Sequence, residues 1–286
     1  EIGHSSFKTG HKKMCRWGFI CIVIKIINNT DMNYQEKKIA LVTGGSRGLG
    51  KDMALSLVKK GLGVIITYQS NEEAASHTLK EIENIGGHGA SLQLDVAKSN
   101  TFKGFFDTLK STLESEFGVS HFHYLINNAG IGIHAPFAET SEEQFDILSN
   151  THLKGAYFLS QKALPLLENG GGIVNISTGL ARFSLPGYAA YATMKGAVET
   201  LTKYQAKELG ERQINVNVVA PGAIATDFGG GVVRDNDQVN QFIASQTALG
   251  RVGEANDIGG VVAFLCSDDA KWINGQRIEV SGGMFL

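Results

Sequence analysis

The amino-acid sequence predicts an α/β fold: a doubly wound, seven-stranded parallel sheet with helices on both faces, in a single domain over residues 34–286. Three observations predict it. Short apolar runs alternate along the chain with segments whose apolar residues fall at helical spacing. The runs are apolar almost throughout, as in strands covered on both faces. The first run, Ile39 to Val42, leads into a glycine-rich turn, Thr43-Gly44-Gly45-Ser46-Arg47-Gly48-Leu49-Gly50, and then a helix. Strand, glycine turn and helix in that order make a phosphate cradle. The glycines let the backbone turn tightly, and the helix N-terminus offers unpaired N–H groups and a positive dipole end to an anion. Right-handed crossovers put a ligand at the carboxyl ends of the strands.

The elements follow in chain order. A helix over Lys51–Lys60 carries Met53, Ala54, Leu57 and Val58 on one face. Val64 to Thr67 is the second strand, and Glu72–Ile85 a helix with Ala75, Leu79 and Ile82 aligned. Ser91 to Leu94 is the third strand, running into Asp95 and Val96; the helix Phe102–Phe117 has a stripe of Phe102, Phe105, Phe106, Leu109 and Leu113. Tyr124 to Ile126 is the fourth strand, ending in Asn127-Asn128-Ala129-Gly130. One long helix is expected over Glu142–Glu168, closed by Gly170-Gly171-Gly172. Ile173 to Ile176, the helix Tyr188–Leu209 and the strand Ile214 to Val219 come next. A glycine-rich segment from Pro221 to about Gly253 is read as a loop, before the helix Ala255–Leu265 and a last strand, Arg277 to Val280.

Composition narrows the function classes. With 286 residues, 43% hydrophobic and 19% charged, the chain suits one large globular domain, and a net charge of −2 gives no footprint for nucleic acid. The cysteines are Cys15, Cys21 and Cys266, an odd set that suggests free thiols and a reducing, cytoplasmic setting. Residues 1–33 fall outside the domain pattern and are read as an extension, disordered or non-native. Its basic residues and the apolar run Trp17 to Ile27 imitate a signal peptide, but Lys25 interrupts the run, which is too short to span a bilayer. No membrane association is expected, and no metal-ligand set is assigned.

Four motifs in order give the chain a resemblance to the short-chain dehydrogenase/reductase (SDR) family over nearly everything after residue 36. They are the T-G-x-x-x-G-x-G turn at 43–50, Asn127-Asn128-Ala129-Gly130, Tyr191-x-x-x-Lys195 on a helix, and Pro221-Gly222 after the sixth strand. The resemblance implies a Rossmann fold and an oxidoreductase moving a hydride between a nicotinamide cofactor and a carbonyl or alcohol. An i, i+4 separation puts Tyr191 and Lys195 on one helix face. For Tyr191 to act near neutrality its phenolate needs about three pH units of stabilisation, roughly 4 kcal/mol, which a nearby ammonium helps to supply. The resemblance implies that Tyr191 gives a proton to a carbonyl oxygen in reduction and takes one in oxidation. It also implies that Lys195 holds ribose hydroxyls.

Two positions depart from the family pattern. Thr178 stands where the family has serine; it keeps a hydroxyl for a substrate oxygen and narrows the pocket. Ser177, adjacent, is expected to point the other way. His152, in His152-Leu153-Lys154-Gly155, replaces the asparagine that helps hold a water on the proton path. Its ordinary pKa of about 6.5 predicts activity that falls as acid protonates it, unless the ring points away and merely caps a bend.

For the cofactor, the resemblance assigns Gly44, Ser46, Arg47, Gly48, Leu49 and Gly50 to the phosphate turn, and Asp95 and Val96 to the adenine. It assigns Asn128, Ala129 and Gly130 to the cofactor wall, with Tyr191 and Lys195, and Pro221, Gly222, Ile224 and Thr226 to the nicotinamide amide. No acid follows the second strand until Glu72, and Arg47 suits a 2′-phosphate, so NADP(H) is expected over NAD(H). The loop 223–253 is expected to be a mobile lid that sets the substrate, a small-molecule carbonyl or alcohol. Proteins of the family are usually dimers or tetramers. Phe145, Leu148, Phe158, Leu159, Val198 and Leu201 suggest a homotetramer or homodimer here. An epimerase or lyase on the same fold, or a non-catalytic nucleotide-binding protein, are the alternatives.

Overall fold

The computed structural model describes residues 38–286, which form one unit; the extension read over residues 1–33, with Cys15 and Cys21, lies outside the described residues. Seven parallel strands stand in the order β3-β2-β1-β4-β5-β6-β7. They are β1 (Ile39–Val42), β2 (Gly63–Tyr68), β3 (Gly89–Gln93), β4 (Phe122–Asn127), β5 (Leu167–Ile176), β6 (Asn215–Pro221) and β7 (Arg277–Val280). The helices are α1 (Gly48–Lys59), α2 (Glu72–Asn84), α3 (Phe102–Phe117), α4 (Glu142–Leu148), α5 (Gly155–Ala163), α6 (Ala189–Glu208), α7 (Val232–Asp235), α8 (Asp237–Ser245) and α9 (Asn256–Leu265). The expected doubly wound architecture is therefore what the chain adopts.

Alternate side chains of each central strand enter opposite layers. Ala40 and Val42 join Met53, Leu57 and the helix α9 residues Ile258 and Val262 in one core cluster. Ile39 and Leu41 join Phe102, Leu109 and Leu113 of helix α3 in the other. Each fully buried aliphatic side chain contributes about 1.5–3 kcal/mol of transfer free energy, which is why strands this apolar are stable only with both faces covered. The order of strands reverses direction between β1 and β4, which pair directly, Val42 opposite Ile126. Beyond their carboxyl ends the helices leave on opposite sides and open a crevice. The Thr43 turn and the Asn127-Asn128 segment both start there.

Two expectations fail. The single helix over Glu142–Glu168 is three pieces: α4, capped by Ser141 and Gln144 in a reciprocal capping box, a π-helical turn at Ser149–Lys154, and α5. From Leu167 the chain is already in β5, so Gly170, Gly171 and Gly172 are strand residues and not a helix stop. A Cβ at Gly171 would overlap the His123 carbonyl of β4, so glycine there admits the register shift between the two strands. The segment read as a loop from Pro221 to Gly253 also carries structure, the short helices α7 and α8.

Candidate functional site

The glycine turn is built by backbone constraints. Gly44 and Gly48 have φ of +64° and +54°, a region open to glycine at no steric cost. A Cβ at Gly50 would overlap the Gly44 carbonyl and approach Asn128 Nδ2 to 2.5 Å. Thr43 ties the turn to the next motif: its hydroxyl donates to Ile126 O and accepts from the Asn128 and Ala129 N–H groups at 2.9 and 3.0 Å. Asn128 answers by donating to Thr43 O at 2.8 Å, and the Gly44 N–H donates to the Thr67 hydroxyl at 3.2 Å. Ser46 lends its carbonyl to Thr78 at 3.0 Å, and Leu49 packs against the core. Helix α1 starts without a side-chain cap and without an acid in its first turn. Its free N–H groups and positive dipole end point out of the turn, so these residues fit a dinucleotide pyrophosphate.

Helix α6 delivers Tyr191 and Lys195, both buried, to the crevice floor. Lys195 donates from Nζ to the Ile176 carbonyl at 2.7 Å and lies 5.8 Å from the centre of the Tyr191 ring. Burial pulls the Lys195 ammonium down to about 7. Burial raises the Tyr191 pKa, against a hydrogen bond with Thr178 that lowers it, and the Tyr188 hydroxyl adds to the rise. Thr178 therefore faces Tyr191. Ser177, its neighbour on an extended strand end, turns the other way and donates to Glu199 at 2.7 Å.

His152 comes from the π-helical turn and is 2% exposed. Its ring meets the Tyr191 ring edge-on, with centroids 5.1 Å apart. Nε2 lies 2.8 Å from the Ile131 carbonyl, and Nδ1 is buried without a partner. Burial, and then the charge of Lys195, push the imidazole well below its ordinary pKa. Protonation of this ring is therefore disfavoured relative to a free imidazole, so any acid-dependent loss of activity through His152 is expected below the ordinary imidazole range. His152 Nδ1 and Asn127 Oδ1 are both orphaned beside one cavity that Thr43, Val96, Ala129 and Lys195 also line. Gly130 makes room for the imidazole, since a Cβ there would come within 2.7 Å of His152 Cε1.

The remaining expected positions sit around this group. Val96 passes under the π-helical turn, where a Cβ at Gly155 would lie 2.6 Å from its carbonyl. The Asp95 carboxylate is engaged by the Ala97 N–H at 3.0 Å and by Lys98 at 3.4 Å. Pro221 ends β6, Gly222 donates to Val280 O at 3.0 Å, Ile224 bridges to Gly253, and Thr226 stands against Gly48. Arg47 is exposed, with its guanidinium 4.0 Å from Asp227. Phe228, whose ring centre lies 5.9 Å from that of Tyr191, and the edge-on pair His134–Tyr188 were not singled out by the sequence reading as site residues. Gly132 and Gly187 make room for the Phe228 and His134 rings.

Comparison with known proteins decides the family. A family model described as Enoyl-(Acyl carrier protein) reductase matches residues 44–285. The chain belongs to the short-chain dehydrogenase/reductase family. It is 38% identical over 251 residues to the 3-oxoacyl-[acyl-carrier-protein] reductase FabG of Staphylococcus aureus, covering 87% of this chain and 98% of that protein. It is 35% identical to the hydroxynaphthalene reductase-like protein Arp2 of Metarhizium majus, over 86% of this chain and 94% of Arp2. Among solved structures, the promiscuous reductase LugOII, which catalyses a keto-reduction at C1 in lugdunomycin biosynthesis, superposes with a TM-score of 0.83 at 37% identity, over 87% of this chain and 98% of LugOII. The angucycline C-6 ketoreductase LanV, with bound NADP, gives 0.82 at 34% identity, over 87% and 95%. The SDR chain described here is thus an oxidoreductase by family. Among its described residues no helix is long and apolar enough to cross a membrane.

Proposed function

We propose that this chain is an NADPH-dependent reductase of a ketone or aldehyde, able to run in reverse as an alcohol dehydrogenase, with Tyr191 as its acid and base. The observation that carries the reading is the buried group of Tyr191, Thr178 and Lys195 at the switch point of the sheet, beside a glycine turn shaped for a dinucleotide. NADPH, when bound, supplies the hydride for the carbonyl carbon.

The residues divide the remaining work. Thr178 holds the substrate oxygen through its hydroxyl, and Tyr191 delivers the proton to that oxygen. Burial raises the Tyr191 pKa, the reverse of the lowering expected from a nearby ammonium, so the chain without cofactor holds the phenol, the form that reduction needs. The reverse reaction needs the phenolate and so a more alkaline medium. Lys195 places the Nζ donor beside the ring and would hold the ribose hydroxyls of a bound cofactor. His152 Nδ1 and Asn127 Oδ1 offer acceptors to a proton path through the adjoining cavity.

Support for NADP(H) comes from Arg47, from the lack of an acid between Tyr68 and Asn71, and from the bound NADP of LanV. Asn71 is spent on capping helix α2, accepting from Ala74 N at 2.9 Å. The reading includes a cytoplasmic setting, which the buried free thiol of Cys266 fits. It also includes assembly as a homodimer or homotetramer.

The test is a panel of carbonyl substrates followed by nicotinamide absorbance with NADPH and with NADH. NADPH turnover is expected to exceed NADH turnover. Tyr191→Phe keeps the ring and removes the hydroxyl. It is expected to leave less than a tenth of kcat, a loss above about 1.4 kcal/mol, with NADPH affinity largely retained. Preference for NADH, or an active Tyr191→Phe, would sink the corresponding half of the reading.

A further inference from the structure

Three consecutive residues, Thr226, Asp227 and Phe228, bridge both halves of the crevice. Thr226 stands over the glycine turn, 3.7 Å from where a Cβ of Gly48 would be. Asp227 pairs with Arg47 at 4.0 Å and with Arg234 at 2.5 Å. Phe228 reaches the other way, with its ring centre 5.9 Å from that of Tyr191 and its edge against Gly132, where a Cβ would come to 2.9 Å. Directly after them come Gly229, Gly230 and Gly231, all left-handed with φ of 62°, 76° and 78°. A Cβ at Gly229 or Gly230 would touch nothing within 4 Å. The segment is therefore anchored at one end by an ion pair and followed by two glycines, Gly229 and Gly230, with open space around them.

We propose that Asp227 is a cofactor-specificity residue that links the phosphate of the dinucleotide to the opening of the substrate cleft. The inference rests on the NADP(H) reading of Arg47. Among the described residues the Arg47 guanidinium pairs with the Asp227 carboxylate, and a 2′-phosphate needs the same donors. The phosphate carries more charge and more acceptor oxygens than a carboxylate, so it takes Arg47 over. Asp227 then faces a like charge and leaves, keeping Arg234 as its partner. The Gly229–Gly231 run absorbs the change in backbone direction, and Phe228 is drawn off Tyr191. A dinucleotide without that phosphate gives Asp227 no reason to move. Substrate entry is thereby coupled to the phosphate-bearing cofactor, at a cost to its affinity that Asp227 sets.

The experiment measures binding of NADPH and NADH by nicotinamide fluorescence, and hydrogen exchange of the peptide spanning residues 226–236, in three proteins: wild type, Asp227→Asn and Asp235→Asn. Asp227→Asn removes the competing charge with little change in volume. It is expected to tighten NADPH by about threefold, the scale of an exposed ion pair, with NADH changed by much less. Asp235 pairs with Arg234 and not with Arg47, so Asp235→Asn is expected to leave the NADPH-to-NADH ratio as in wild type. Exchange of the 226–236 peptide is expected to be faster in wild type saturated with NADP+ than in wild type saturated with NAD+. A ratio unmoved by Asp227→Asn, a ratio moved equally by Asp235→Asn, or equal exchange with the two cofactors overturns the coupling while leaving NADPH-dependent reduction intact. Failure of wild type to prefer NADPH overturns both.

Discussion

Lys195 shows what the site costs the fold. Its ammonium donates to Ile176 O and is otherwise buried among the described residues, and burial pulls its pKa from 10.5 to about 7. Between those two values the unfolded chain binds more protons than the folded one, so folding stability rises with pH across that window, by up to about 1.4 kcal/mol per pH unit. Cys266 and Tyr191 act in the opposite sense, because burial raises both, but only near and above their ordinary values of 9.0 and 10.0. The midpoint of thermal unfolding is therefore expected to climb from pH 7 to pH 8.5, and Lys195→Met is expected to flatten the climb; equal slopes in the two proteins would refute the assignment. His152 gives a second expectation of this kind. Because burial and the neighbouring Lys195 hold protonation of its ring well below the ordinary imidazole range, wild type and His152→Asn are expected to have parallel pH–rate profiles from pH 6.5 to pH 8. A histidine-dependent fall inside that interval would return the ring to the titrating role that the sequence alone suggested.

Between residue and fold, the elements divide into those the sequence spells out and those it hides. Helix α3 was legible to the residue, because five apolar side chains recur on one face and Gly118, with φ of 68°, stops it. The strands were legible because short runs such as Ile39 to Val42, apolar at every position and ended by a glycine turn, suit a sheet covered on both faces. The break between α4 and α5 was not legible. A π-helical turn has the same apolar periodicity to within one residue, and its cause is tertiary: Gly155 must pass the Val96 carbonyl, which no local pattern records. For the same reason the site was readable as a set of residue types and not as contacts. Tyr191, Lys195 and Thr178 sit at marked spacings, whereas Phe228 and Asp227 reach the site from a segment without periodicity. Two glycines test this view of α4 and α5. Gly155→Ala puts a Cβ 2.6 Å from Val96 O and 3.0 Å from Asn150 O, backbone atoms that cannot turn aside. It is expected to cost about 1–3 kcal/mol in denaturant unfolding. Gly104→Ala, on the exposed face of α3 with open space around it, is expected to stabilise by about 0.5–1 kcal/mol. Equal effects at the two positions would mean that the close approach at Gly155 is not what shapes the turn.

On the scale of the whole molecule, the apolar surface is unevenly spread. Of the residues expected to form a subunit interface, Leu148, Leu159 and Val198 are buried within this chain and serve its own core, and Leu201 is half-buried. Of the expected residues, Phe145 on α4 and Phe158 on α5 are exposed, and Ile147 on α4, Tyr157 on α5 and Tyr204, 65% exposed, on α6 join them. Single exposed aromatics are ordinary on a protein surface, but several on neighbouring helices mark an association site. A second copy of the chain is the occupant that needs no further partner, and a two-fold axis lets one patch meet itself. The chain is therefore expected to form a symmetric homo-oligomer through α4–α6. Tyr157→Asp combined with Tyr204→Glu places like charges across such an axis, where burial makes them costly, without touching Tyr191 or the glycine turn. Light scattering at micromolar concentration should give a dimer or tetramer mass for wild type and a lower mass for the double variant, with NADPH binding retained in both. A monomer mass for wild type would refute the interface. An unchanged oligomer in the double variant would place it on another face of the molecule.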